Sequence, residues 1–191
     1  MGVNLPFWKQ LVQFLISPGM LSGTGILLFL LYVFKPSTNF LDVKKVIRDY
    51  FAVFSHAKMH IVFFWGLPAL FALALIQQAK LTSELSETLL VFLSIFISAL
   101  FAMLAILVQK QDCNRENYYQ KVLAETASVV LFEIILCVFS LLITVSMIFV
   151  GELCSAWLVT VSSFLDYYLI FALLMNILIL VKRLKALIDN P

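Results

Sequence analysis

"SVVLFEIILCVFSLLITVSMIFV", residues 128–150, is an unbroken apolar run with one carboxylic acid, Glu133, inside it. A hydrocarbon core of ~30 Å needs roughly 20 residues of helix to cross it, which this run supplies. Placing a charge there costs at least ~2.5 kcal/mol on insertion scales, so Glu133 requires a reason. Working outward, four segments reach spanning length, at about 59–78, 88–109, 127–150 and 156–181. Composition agrees: of 191 residues, 63% are hydrophobic and only 13% charged, with mean hydropathy +1.04. A soluble domain carries about twice that charge. The expected architecture is all-α, one helical membrane bundle over residues 1–191.

The connections set the expected orientation. Residues 35–58 hold Lys35, Lys44, Lys45, Arg48 and Lys58; residues 110–126 hold Lys110, Arg115 and Lys121; the tail holds Lys182, Arg183 and Lys185. The alternate connections, 79–87 and 151–155, carry only Lys80 against Glu84, Glu87 and Glu152. By the positive-inside rule the basic segments and the C-terminus are cytoplasmic. Residues 11–34 are apolar but interrupted by Ser17, Pro18, Gly19, Gly23 and Gly25. They read either as a fifth, kinked span or as a half-helix that dips in and returns. The N-terminus does not read as a cleavable signal peptide. Between it and the first firm span, Asn39 with Asp42 caps an amphipathic helix over 38–56. Its apolar face is Phe40, Val43, Ile47, Tyr50, Phe51 and Phe54, with Lys44, Lys45 and Arg48 opposite. Such a helix either lies in the inner interface, with its bases at anionic head groups, or packs on its own bundle.

Counting 1.5 Å per residue puts Glu133 ~8–9 Å inside the membrane, level with Asn176 on the returning span. An Asn176 amide donating to a protonated Glu133 would satisfy both within one helical hairpin; the alternatives are a proton- or ion-responsive site or an acid ring facing the centre of an oligomer. Asp166 lies within ~5 Å of the midplane, and no base sits at its depth. It is therefore expected neutral, water-exposed or hydrogen-bonded to hydroxyls and amides, and of the two acids it is the better candidate for lining a cavity or pore. Ser94, Ser98 and Ala102 recur every four residues, a spacing for close helix packing, expected within the chain. His56 and His60 stand four apart, but no carboxylate or Cys completes a metal site. Cys113, Cys137 and Cys154 fall in an inner loop, a span and an outer loop, which argues against an intrachain disulfide. No nucleotide loop, nucleophile elbow or zinc motif occurs, so no enzyme and no cofactor is expected. A net charge of +2 without a basic patch argues against direct nucleic-acid binding. The polar inner loop "QKQDCNRENYYQKVLAET" offers Arg115, Glu116, Tyr118 and Tyr119 as a docking surface for a protein partner.

With its four spans, its polar inner connections, the acid early in the third span ("AETASVVLFEIIL") and the closing "LLMNILILVKRLKAL", the chain resembles the KwaA family, membrane subunits of the Kiwa anti-phage system. The resemblance implies a bacterial inner-membrane homo-oligomer that senses phage attack at the envelope and works with a cytosolic nucleic-acid-binding partner, KwaB. It carries over no site residues. Three readings follow: a sensor or scaffold that recruits a cytosolic partner, a pore-forming effector built on Asp166 and Glu133, and a small transporter subunit. The first is favoured, by the tyrosine-rich loop and the absence of catalytic groups.

Overall fold

The computed structural model describes residues 43–52, 58–110, 117–151 and 156–189, with Thr24, Gly25, Leu28 and Leu31 as isolated helical positions. The described residues form five helices: α1 Val43–Ala52, α2 Lys58–Gln78, α3 Ser83–Lys110, α4 Asn117–Val150 and α5 Ala156–Asp189. Three of them, α3, α4 and α5, are long and apolar enough to cross a membrane, and α2 is a shorter apolar helix. Each long helix overruns its expected span. No Gly or Pro intervenes where α4 and α5 leave the hydrocarbon at the basic end, so both helices run on. The expected fifth span falls, except for those isolated positions, outside the described residues.

Helix α4 packs against α3, α5 and α1, while α2 packs mainly against α5. Trp65 brings α2 beside α1 and α4 as well, edge-on to Phe132 at 6.0 Å. On α3 the buried residues are Ser86, Leu93, Leu100 and Leu107, a strict seven-residue repeat that keeps one seam facing α4. Thr82 caps α3 by accepting the Leu85 N–H at 3.3 Å, with Glu84 in the first turn and Lys110 in the last complementing the helix dipole. Pro68 removes one backbone donor inside α2, which a packed membrane helix accommodates.

Both ends of the bundle are tied. At one end the α2–α3 connection is strapped to α5: the Leu81 N–H donates to Ser163 Oγ at 3.0 Å and the Tyr167 hydroxyl to the Ala79 carbonyl at 3.1 Å. Leu81 there packs in one cluster with Met147, near the end of α4. At the other end the Arg183 guanidinium donates to Glu125 at 2.8 Å, joining α5 to α4. That second end collects Lys44, Lys45, Arg48, Lys121, Lys182, Arg183 and Lys185.

The distribution of polarity is inverted relative to a soluble bundle. Val62, Ile95, Phe149 and Trp157 are 72%, 67%, 75% and 70% exposed, whereas Thr126, Glu133, Ser140, Thr144, Ser163 and Asp166 are fully buried. In water such a surface would be an aggregation hazard; in lipid it is the expected outside.

Candidate functional site

The buried polar groups lie along the seam between α4 and α5. Thr126, Glu133, Cys137, Ser140 and Thr144 follow one another at intervals of about two turns or one, so they occupy a single stripe of α4. The facing stripe of α5 carries Ser163, Asp166, Leu173, Asn176 and Leu180. Because the helices are antiparallel, partners lie equally far from the connecting turn. This is why cross-helix bonds join residues 22, 26 and 58 apart in sequence.

Asp166 has the densest set of bonds. The Ser140 hydroxyl donates to its Oδ1 and the Thr144 hydroxyl to its Oδ2, the latter at 2.9 Å. The Thr144 hydroxyl also reaches the Ser140 carbonyl at 2.9 Å, as membrane threonines commonly do one turn back. Cross-helix bonds of this kind contribute about 0.6–2 kcal/mol each in a membrane. Asp166 is fully buried within the chain and both oxygens accept from hydroxyls of α4, the hydroxyl-bonded arrangement among the alternatives expected for it.

Two turns toward the basic end, the arrangement differs from the expected Asn176–Glu133 bond. Asn176 Oδ1 accepts instead from the Tyr50 hydroxyl at 2.6 Å, while both Glu133 carboxyl oxygens are buried without a hydrogen-bond partner among the described residues. The reason is α1. Of its apolar face, Val43 and Tyr50 are buried on the bundle and Ile47 is half-buried, while Phe51 is exposed and Phe40 and Phe54 lie outside the described residues. The Tyr50 ring stacks on Phe132 of α4 at 3.9 Å between centroids and meets Trp65 of α2 edge-on at 6.5 Å. One side chain thus contacts α2, α4 and α5. Burial first, and the nearby Glu133 second, push the Tyr50 phenol above its ordinary range, so it remains a hydrogen-bond donor.

The remaining expected residues are dispersed. Lys44, Lys45 and Arg48 are exposed on α1, as its amphipathic pattern requires. Tyr119 is only 6% exposed and packs in the main core with Leu123, which withdraws it from the docking surface. Tyr118 lies in the first turn of α4; its side chain, together with Arg115, Glu116, His56, Cys113 and Cys154, lies outside the described residues. The side chain of His60 does as well. Among the described residues no group of three or more His, Cys, Asp or Glu gathers to hold a metal, and Cys137 is a free, buried thiol. Ser94, Ser98 and Ala102 do not pack within the chain as expected. They lie on the exposed face of α3, because its seven-residue seam selects the other side.

Fold and seam together define a multi-pass helical membrane protein with a stripe of buried polar groups between α4 and α5. Comparison with family models, curated proteins and solved structures gives no match for this chain.

Sequence reasoning missed Ser140, Thr144, Tyr50 and the Glu125–Arg183 pair as structural partners. For Asp166 a signal existed: Ser140 and Thr144 stand about as many turns before the 151–155 connection as Asp166 stands after it. Hydroxyl partners for Asp166 are expected from the lack of a base at its depth, but the particular residues emerge only once α4 and α5 are paired.

Proposed function

We propose that this chain is a membrane-embedded scaffold that crosses the inner membrane four times, with α2 as the first crossing and the basic end and C-terminus in the cytoplasm. It assembles as a homo-oligomer and relays an envelope event to a cytosolic protein recruited on the α3–α4 connection. The observation that carries this reading is the occupancy of Asp166: a membrane acid bonded on both oxygens to Ser140 and Thr144 acts as a tie between helices. That favours a scaffold over a pore-forming effector. The exposed Ser94, Ser98 and Ala102 supply a face on which copies can approach closely. A role in anti-phage defence, with a KwaB-like partner, rests on the resemblance to the KwaA family alone.

The docking surface is tested by Arg115→Glu combined with Tyr118→Ala in the full chain. Loss of the co-purifying cytosolic protein, with unchanged oligomer elution, is the expected outcome. Undiminished co-purification would rule that surface out.

A further inference from the structure

At the basic end, α1 and α4 do not close on each other completely. A cavity of about 430 Å³ remains between Asp49 and Ala52 on one wall and Lys121, Ala124, Glu125 and Ser128 on the other. Residues 121, 124, 125 and 128 share one face of α4, and the two alanines provide the room. The volume falls within the ~300–1,000 Å³ of small-molecule sites.

Its charges are unpaired across the gap. Glu125 is engaged by Arg183 at 2.8 Å, but Lys121 forms no ion pair among the described residues despite standing one turn before Glu125. Asp49 has only a 4.0 Å contact with its exposed neighbour Arg48. The Ser128 hydroxyl donates to the Ala124 carbonyl at 3.0 Å, which leaves its oxygen free to accept. The cavity thus offers an ammonium from α4, a carboxylate from α1 and a hydroxyl oxygen beside them, the charge of Glu125 being matched by Arg183. An anionic ligand would be opposed by Asp49 and a simple cation by Lys121. A zwitterion with phosphate and amine a few bonds apart satisfies both walls. The expected span of α4, 127–150, begins just beyond Glu125, so the cavity lies at the level of the phospholipid head groups.

We propose that this cavity is a head-group site for a phospholipid bearing a primary amine, of the phosphoethanolamine class. Lys121 holds the phosphate, and Asp49 together with Ser128 accepts from the ammonium. A primary ammonium donates three hydrogen bonds; a choline head group donates none, so the site distinguishes the two. Bound lipid bridges α1 to α4 and so holds α1 against the bundle. This assignment is independent of what the α3–α4 connection recruits.

The test uses the purified full chain in nanodiscs with phosphatidylethanolamine, phosphatidylcholine or phosphatidylglycerol of identical acyl chains, and reads retained lipid by native mass spectrometry after transfer to detergent. Phosphatidylethanolamine is expected to be retained about tenfold over the other two, the equivalent of one charge-assisted hydrogen bond. Asp49→Asn should erase its advantage over phosphatidylcholine, Lys121→Gln should weaken all three, and Asp49→Lys should shift retention to phosphatidylglycerol. These side chains line an open surface, so the variants should elute as the parent does. Equal retention of the three lipids by the parent, or an unchanged preference in Asp49→Asn, would overturn the site. Soluble phosphoethanolamine binding as tightly as the lipid would overturn the lipid assignment.

Discussion

Glu133 is the most costly residue of the seam. Its carboxyl is fully buried and neither oxygen has a hydrogen-bond partner among the described residues, whereas Asp166 two turns away is bonded twice. Burying a polar group without a partner costs about 1–3 kcal/mol by mutational measure. Glu133→Met, which fills similar volume without the carboxyl, should therefore stabilise the chain by roughly that amount in denaturant unfolding from micelles. A loss of stability would mean that Glu133 has a partner not visible in this state. Asp166→Ala should act oppositely. It strips the acceptor from the Ser140 and Thr144 hydroxyls, and a loss of about 1–2 kcal/mol is expected in the same measurement. Tyr50→Phe keeps the stack on Phe132 and removes only the bond to Asn176. Hydrogen exchange across residues 43–52 should then accelerate several-fold, the consequence of about 1 kcal/mol lost at the attachment of α1. Unchanged exchange would assign the attachment to the aromatic contacts alone.

At the scale of the helices, length and composition made the three long spans legible, because a membrane span is the strongest local signal a sequence carries. Which face each helix buries was less legible. On α3 the four-residue stripe Ser94, Ser98 and Ala102 competed with the seven-residue seam Ser86, Leu93, Leu100 and Leu107, and the latter is the buried one. In a segment apolar on every side, hydrophobic periodicity has almost no contrast, so only the partner helix decides. The amphipathic pattern of α1 was plain, but an acyl boundary and a bundle surface make the same demand on its apolar face. The Glu125–Arg183 tie was hidden for another reason: both groups lie beyond the hydrocarbon, where opposite charges are too common to pair by inspection. With the Arg183 and Glu125 side chains only 17% and 35% exposed, that pair is screened less than a surface pair. A double-mutant cycle on Glu125→Gln and Arg183→Gln should give a coupling of about 1–2 kcal/mol.

For the whole molecule, the two ends of the bundle have different chemistry. One is closed by the strap from Leu81 and Ala79 to α5, and the other gathers the bases, the cavity beside Asp49 and the α3–α4 connection. If copies meet through the exposed α3 stripe, replacing Ser94 and Ser98 by leucine should dissociate the oligomer while leaving the helical content of each chain intact. An oligomer of unchanged mass would locate the contact elsewhere. The proposal that the molecule works by assembling and recruiting is tested most directly by affinity purification of the full chain from its native membrane in mild detergent, with the mass of the intact assembly determined and every bound protein identified. A homo-oligomer carrying one stoichiometric cytosolic protein is the predicted result; a bare oligomer that conducts ions when reconstituted would contradict the account.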